Sequence, residues 1–317
     1  MKDILEKFKD KRIAVIGDLM LDKSIYGEVL RISPEAPVQV VNVTNEEYRP
    51  GGSANVASNI TALSAKAMVI GVAGNDSAHR ILKGRLENLG IDTRGIFVDE
   101  SRPTTQKVRI LGRHQQLLRV DYEKTESVSK KIQQEIIGYL KSNIRNIDAI
   151  VISDYKKGVV CKDFISKVLD ICRENHKIII VDPKPSNSKF FTKVSLIAPN
   201  HNEASEMTGI EEKSEKDLIR IGKKLVKDIN SNVLITRGEK GMSLFEKKGA
   251  ITHIPTKAKE VYDVTGAGDT VCATITLALA CGCSLKKASI LANHAAGVVV
   301  GKLGTSTVSL EELKKDL

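Results

Sequence analysis

Tryptophan is absent from these 317 residues, and aromatic side chains make up only 4% of them. Such a chain has few flat platforms for stacking bases, so a net charge of +10 and an isoelectric point near 9.2 do not argue for nucleic-acid binding. The basic residues are scattered among acids along the whole chain. A positive cleft has another use, which is to concentrate small polyanions. Long hydrophobic runs are missing as well. The stretch from Val271 to Cys281, among the longest, is about half of the ~20 residues a membrane span requires. The five cysteines, Cys161, Cys172, Cys272, Cys281 and Cys283, show no Cys-x-x-Cys spacing for zinc or redox chemistry and are expected to be buried reduced thiols. The N-terminal MKDILEKFKDKR is charged throughout and runs straight into an apolar strand, unlike a signal peptide. A cytoplasmic protein that neither spans a membrane nor binds nucleic acid is expected.

There is no internal repeat, low-complexity tract or Pro/Gly-rich linker, and 41% hydrophobic residues suffice to fill one large core. The runs RIAVIGD, MVIGVAG, DAIVISD, KIIIVDP, VSLIAPN and NVLITRG are short and β-branched, and each is followed by a candidate helix. That rhythm predicts an α/β fold, a doubly wound, mainly parallel sheet with helices on both faces. Several runs end in Gly, Asp or Asn, which places the functional edge at their carboxyl ends. Residues 35–48 and 104–122 instead alternate apolar with polar residues and have no helix between strands. They predict a small antiparallel β lid outside the main sheet, with an apolar face that covers substrate or a second subunit. One domain over 1–317 plus that lid is the expected partition. The lysine- and glutamate-rich stretch from Glu211 to Asp228 reads as a solvated helix face.

The most informative stretch is VYDVTGAGDT, residues 261–270. Gly266, Ala267 and Gly268 let the backbone curl so that its amides converge at the start of an apolar helix, a ready anion hole. Asp269 would repel a phosphate that was merely held there. Its presence makes sense if it takes a proton from an attacking hydroxyl while the amides hold the phosphoryl group in transfer. The same residues also fit a strand-to-helix turn with Asp269 as a first-turn cap.

Other signals precede it. In RPGGSANVASNI, Gly51 and Gly52 lead into a helix from which Asn55 faces back toward the turn. In GDLMLD, Asp18 and Asp22 follow the first strand, where carboxylates suit sugar hydroxyls. In IAPNHNEA, Asn200 and Glu203 open a helix and fit phosphate contact and a hydrated Mg²⁺, although a capping pattern looks the same. Thr236, Gly238 and Gly241 of ITRGEKGM suit the wall of a nucleotide pocket.

In their order along the chain these motifs resemble the ribokinase-like carbohydrate kinases of the PfkB family, over essentially the full length. That resemblance implies Asp269 as catalytic base and Gly266 to Gly268 as anion hole. It further implies Asn200 and Glu203 with Mg²⁺ and phosphates, Asn293 on the ATP side and Asp263 beside a monovalent cation such as K⁺. The stretches RISPEAPV, QQLLRVDYE, VISDYKKG, VDPK and ANHAAGVVVGKLGTSTVS look more narrowly like the heptose-7-phosphate kinases that form one half of bifunctional ADP-heptose synthases. The implied reaction is transfer of the γ-phosphoryl group of ATP to the anomeric hydroxyl, with Asp18, Asp22 and Asn55 holding sugar hydroxyls. Arg119 and Lys184 are the candidates for the distal phosphate, with Lys156 and Lys157 as the next pair. A homodimer joined through the lid is expected. Nothing in the chain resembles the adenylyltransferase half, so a stand-alone or shortened kinase is expected. Another ribokinase-like sugar or nucleoside kinase is the alternative reading. A non-catalytic nucleic-acid binder is a remote one, and the Gly-x-Gly-x-x-Gly turn of a dinucleotide-binding oxidoreductase is absent.

Overall fold

Alternate residues of the first strand, Arg12–Gly17 (β1), enter two different hydrophobic cores: Ile13 and Val15 one, Ala14 and Ile16 the other. The same division separates Val69 from Ile70, Val151 from Ile152 and Ile180 from Val181. Strands covered on both faces must be apolar at every position, which explains why these runs read as continuous rather than alternating.

The computed structural model describes residues 2–112, 115–258, 261–302, 304 and 306–317. Arg113 and His114 of the expected lid, Glu260 before the glycine-rich turn, and Leu303 and Thr305 of the C-terminal stretch lie outside them. After a short helix, Lys2–Leu5 (α1), come β1, Leu19–Ile32 (β2), Gln39–Gly52 (β3), helix Ser53–Ala62 (α2), Lys66–Ala73 (β4), helix Ser77–Asn88 (α3), Asp92–Val98 (β5), Thr105–Gly112 (β6) and Gln115–Tyr122 (β7). Helix Lys130–Asn143 (α4), Ala149–Ser153 (β8), helix Lys162–Glu174 (α5), Ile178–Asp182 (β9) and Leu196–Ile197 (β10) follow. The chain continues through helices His201–Thr208 (α6) and Glu215–Ile229 (α7) to strands Asn232–Thr236 (β11), Met242–Phe245 (β12) and Ile251–Ile254 (β13). Helices Ala267–Ala280 (α8), Leu285–Val299 (α9) and Leu310–Asp316 (α10) complete it.

The main sheet has nine strands in the order β13-β12-β11-β10-β9-β8-β1-β4-β5, parallel except for the antiparallel edge β12 and β13. Buried residues of α2, α3, α8, α9 and α10 fill one face, and those of α4, α5, α6 and α7 the other. Because β1 lies between β4 and β8, the chain winds in opposite directions from it, and a crevice opens at the carboxyl ends of the strands there. The doubly wound α/β architecture is therefore as expected.

Three details differ from the sequence reading. β1 is followed not by a helix but, after Asp18 alone, by the long strand β2; β9 leads into a 3₁₀ helix at Pro185–Phe190; β11 turns back into β12. The polar residues of β2 hid it, because its strand conformation rests on pairing with β3 and β6 rather than on its own composition. β2 is the hub of a second sheet of four strands, ordered β3-β2-β6-β7. Its β3 runs from Gln39 to Gly52 rather than over 35–48, so Gly51 and Gly52 end a strand and Ser53 begins a helix without a loop. The lysine- and glutamate-rich helix begins at Glu215, capped by Ser214, so Glu211 to Lys213 precede it.

Candidate active site

Gly266 adopts φ 81°, a left-handed conformation that glycine tolerates without strain, and this turn starts α8. The first intrahelical hydrogen bond runs from Thr270 N to Gly266 O at 3.1 Å, which leaves the amides of Gly268 and Asp269 without a helical acceptor. The Ala267 amide is not part of that set, because it donates to Val264 O at 3.2 Å. A Cβ added to Gly268 would meet nothing within 4 Å, so the turn faces open space. Of the amides in this turn, those of Gly268, at an exposed position, and of the buried Asp269 are left for another acceptor.

Asp269 is 4% exposed, and neither of its oxygens caps the helix. Asn55 Nδ2 donates to Oδ2 at 2.7 Å and the Tyr155 hydroxyl donates to Oδ1 at 2.9 Å. Burial pushes this carboxyl up to about 6, with the two donors opposing it, the nearby Asp22 adding to it and Lys107 opposing it. A carboxylate with that affinity for protons is poised for general-base work near neutral pH.

Asp18, expected to hold sugar hydroxyls, is engaged by backbone. It is 1% exposed, and its two oxygens accept the backbone N–H groups of Tyr155, Lys157 and Val159 at 2.8, 3.0 and 3.1 Å. A carboxylate so engaged fixes the turn after β8, and burial raises its proton affinity in spite of those bonds. Asp22 is better placed. It accepts from Arg109 Nη1 at 3.1 Å, and a Cβ on Gly51 would sit 2.6 Å from its Oδ2, so only glycine lets the strand end pass so close.

In the small sheet Asp22 stands opposite Arg49 on one side and Lys107 on the other, and Arg109 stands opposite Arg119. Residues directly paired across strands share a face, so this one carries Arg49, Lys107, Arg109 and Arg119 beside Asp22. Arg119, one of two residues expected to bind the distal phosphate, is 53% exposed and pairs with Asp121 at 3.0 Å. The other, Lys184, pairs with Glu203 at 2.6 Å, among the residues expected to meet nucleotide. The two engage different partners, Arg119 within the small sheet and Lys184 on helix α6. Lys157, of the next candidate pair, is held by Glu123 at 2.6 Å, and Lys156 is an exposed residue with φ 58°.

Asn200 and Glu203 form a reciprocal capping box: Glu203 N donates to Asn200 Oδ1 and Asn200 N to Glu203 Oε2, each at 2.9 Å. Thr236 bridges to Asn200 as a neighbouring strand residue, and Gly238 follows at the same edge. Gly241 lies farther round, where a Cβ would meet Ile254 O at 2.1 Å. Asn293, expected on the ATP side, is buried and donates its amide to Pro255 O at 2.7 Å, which ties α9 to the segment after β13. Asp263 accepts from Thr265 N at 2.8 Å and Gly304 N at 3.0 Å, joining the turn before α8 to the C-terminal loop. Burial works against its ionisation, but those hydrogen bonds outweigh it and hold the carboxyl below its ordinary range.

Four residues of this site escaped the sequence reading: Tyr155, Asp182, Lys107 and Arg109. Asp182 ends β9, where the run VDPK offered the signal of an acid at the carboxyl end of a parallel strand. Its carboxylate has no hydrogen-bond partner among the described residues. Burial first, then the nearby charges of Asp269 and Glu203, push its proton affinity well up, with Lys184 opposing. Such a carboxylate fits a cation. Among the described residues no three His, Cys, Asp or Glu side chains stand together as a metal cage.

The sequence model of the pfkB family carbohydrate kinases matches residues 10–313. Among curated proteins, the chain is 44% identical over 306 residues to the bifunctional protein HldE of Geobacter metallireducens, covering 96% of this chain and 62% of that one. It is 43% identical to HldE of Helicobacter hepaticus, covering 96% of this chain and 63% of that one. The chain thus spans less than two thirds of the length of these relatives. Among solved structures, Arabidopsis thaliana ribokinase complexed with ribose and ATP aligns with a TM-score of 0.77 at 20% identity, covering 96% of this chain and 98% of that one. Escherichia coli phosphofructokinase-2 in complex with potassium aligns with a TM-score of 0.79 at 18% identity, covering 96% and 97%. At such identities the two structures bear on the fold. Among the described residues, no helix is long and apolar enough to cross a membrane.

Proposed function

Because the chain belongs to the pfkB family of carbohydrate kinases, we propose that it transfers the γ-phosphoryl group of ATP to the anomeric hydroxyl of D-glycero-β-D-manno-heptose 7-phosphate. The product is the 1,7-bisphosphate, made in the cytoplasm for ADP-heptose and the lipopolysaccharide core. The observation that carries the reaction type is the buried Asp269 carboxylate, held by Asn55 and Tyr155 beside two amides that have no helical acceptor. The narrower substrate rests on the shared stretches of sequence and on the similarity to the HldE proteins across 96% of this chain.

In this reaction Asp269 accepts the proton of the sugar hydroxyl as its oxygen bonds to the γ-phosphorus, and the bond from that phosphorus to the β-γ bridging oxygen breaks to release ADP. The Gly268 and Asp269 amides and Lys184 stabilise charge on the transferring and leaving oxygens, which is the main source of catalysis in phosphoryl transfer. Mg²⁺, held through Asp182 and through water on Glu203, would neutralise the triphosphate. Asp22, Gly51, Gly52 and Asn55 line the sugar, and Arg109 with Arg119 receives its distal phosphate. Asp263 lies beside a monovalent cation; the potassium of phosphofructokinase-2 supports K⁺ in that role. Two small sheets pair across a homodimer.

ATP turnover with a panel of the heptose 7-phosphate, the unphosphorylated heptose, fructose 6-phosphate, ribose and a nucleoside tests the reading. Preferred use of the heptose phosphate, with a new anomeric phosphate in the ³¹P spectrum, is expected. Equal or better use of the unphosphorylated sugars or the nucleoside overturns the substrate assignment and leaves the family alone.

A further inference from the structure

The turn after β8 is held more firmly than a surface connection requires. Asp18 accepts three of its backbone N–H groups. Asp154 accepts a fourth from Lys156 at 2.8 Å and reaches across to Asn187 Nδ2 at 2.9 Å and Lys184 N at 3.3 Å. Both carboxylates are 1% exposed, and burying two acids this close is costly unless every oxygen is well satisfied. Lys156 adds a left-handed φ of 58°. All of this brings one side chain, Tyr155, into the site.

Tyr155 makes three contacts there. Its hydroxyl donates to Asp269 Oδ1 at 2.9 Å. Lys107 Nζ lies 5.5 Å from the ring centroid, and Lys184 Nζ lies 5.5 Å from it too. Lys107 comes from the small sheet, opposite Asp22, whereas Lys184 is paired with Glu203 at the carboxyl edge of the main sheet. Two ammonium groups would repel one another if brought together bare. An aromatic ring attracts both and holds each at a set distance. Asp269 would also be free to turn if Asn55 were its one donor; a second donor on the other oxygen fixes the carboxylate plane. The phenol stays a donor, because burial and then the Asp269 and Asp182 carboxylates push its ionisation well above the ordinary tyrosine range.

We propose that Tyr155 is a positioning residue for phosphoryl transfer: its hydroxyl aligns Asp269 with the acceptor hydroxyl, and its ring spaces Lys107 toward the sugar and Lys184 toward the triphosphate. This rests on the reading of Asp269 as the base. The two halves of the role separate by substitution. Tyr155→Phe keeps the ring and removes the donor. Tyr155→Leu removes both.

Steady-state kinetics on the full chain, with ATP and whichever sugar of the panel it uses best, test this, with Asp269→Asn measured alongside. Tyr155→Phe is expected to lower kcat roughly tenfold and leave both KM values within about twofold, the pattern of an interaction acting in the transition state. Tyr155→Leu is expected to show that same loss and, in addition, to raise KM for ATP and for the sugar by at least about fivefold, because both lysines lose their platform. Wild-type kcat in Tyr155→Phe overturns the hydroxyl's part, and KM values in Tyr155→Leu matching those of Tyr155→Phe overturn the ring's part. A loss confined to KM for one substrate assigns Tyr155 to that pocket and overturns the whole. Thermal melts establish that each variant is folded; if the leucine variant is not, Tyr155→Met supplies the ringless side chain. Activity retained in Asp269→Asn would sink the base itself, whereas an inactive Asp269→Asn beside a fully active Tyr155→Phe sinks only this inference.

Discussion

Asn55 Nδ2 lies 2.7 Å from Asp269 Oδ2, although 214 positions separate the two residues in the chain. One turn deeper, Thr270 Oγ1 donates to Asn59 Oδ1 at 2.9 Å, so the first turns of α2 and α8 are stitched together side by side. Two helices therefore begin at one place, one after Gly51-Gly52 and the other after Gly266. Their positive ends both favour an anion there, which offsets part of the cost of keeping Asp269 charged in a buried position.

Asp269→Asn is expected to leave the fold and nucleotide affinity nearly intact and lower kcat by at least ~10²-fold, the low end for loss of a general base. In the wild type, burial lifts this carboxyl from 3.8 to about 6, so kcat/KM should fall as pH drops through about 6. The same shift has a sign for stability. An acid whose folded value is raised destabilises the fold when ionised: the penalty is absent below about pH 4, grows as pH rises and is complete above about pH 6. Lifting the carboxyl from 3.8 to about 6 corresponds to about 3 kcal/mol at most. Asp269→Asn should therefore gain in Tm relative to wild type at pH 8 and lose that gain only by about pH 4. Equal Tm differences at both pH values, or an acid limb of kcat/KM nearer pH 4, would remove the perturbed carboxylate from the account.

The motifs that were legible in sequence are those in which local backbone and function coincide. Gly266 through Asp269 stand out because glycine is needed for the turn and an acid follows it at the start of an apolar helix, although a first-turn acid also suits a helix for structural reasons alone. Tyr155 and Lys107 did not stand out, since nothing local distinguishes a tyrosine after a strand or a lysine in one. Their role exists only once the small sheet folds against the β8 turn. Asp18 was legible only in part: its residue type and its place at a strand end stand out, but nothing local reveals the three backbone N–H groups that its carboxylate accepts. The Asn200 and Glu203 pair is a capping box in fact, and any metal role is carried by that same geometry together with Asp182.

Arg109 and Arg119 face one another across β6 and β7, a like-charged pairing that is unfavourable unless something negative lies between. Asp22 and Asp121 each answer one of them. Along β6, Arg109 lies two residues beyond Lys107, an advance of about 7 Å away from the Asp269 centre. Arg109→Ala or Arg119→Ala should weaken kcat/KM for the heptose 7-phosphate by roughly 1.5 to 3 kcal/mol per lost charged hydrogen bond and leave the unphosphorylated heptose nearly unaffected. Lys184→Ala should instead act on both sugars alike and on KM for ATP. A phosphate-selective loss in Lys184→Ala with none in the arginine variants would reverse the assignment.

Asp182 is a second acid whose neighbours call for a cation. Asp182→Asn should raise the Mg²⁺ concentration for half-maximal activity by about 10-fold or more, and Glu203→Gln, which keeps the capping geometry while loosening Lys184, should do so less. Titrating Mg²⁺ at fixed ATP gives the answer. An unchanged Mg²⁺ requirement in Asp182→Asn would mean that the carboxylate serves only to orient Lys184.

The outer part of the small sheet exposes Leu30, Ile32, Val43 and Leu118, and the connection from β2 to β3 exposes Val38. Apolar side chains this numerous on strands that extend from the body are poorly stable alone, and a second copy of the same sheet buries them symmetrically. The other face carries Asp22, Lys107 and Arg109, so pairing the sheets would also fix the wall of each sugar site. Sedimentation velocity at micromolar concentration should give a dimer, and the double variant Val43→Glu, Leu118→Glu a monomer. Because the residues proposed to meet nucleotide lie at the main sheet, that monomer should bind an ATP analogue nearly as well as wild type while its kcat/KM for sugar falls. A wild-type monomer would remove the pairing altogether. A charged double variant that is monomeric yet fully active would show that the sheet closes over sugar without its partner.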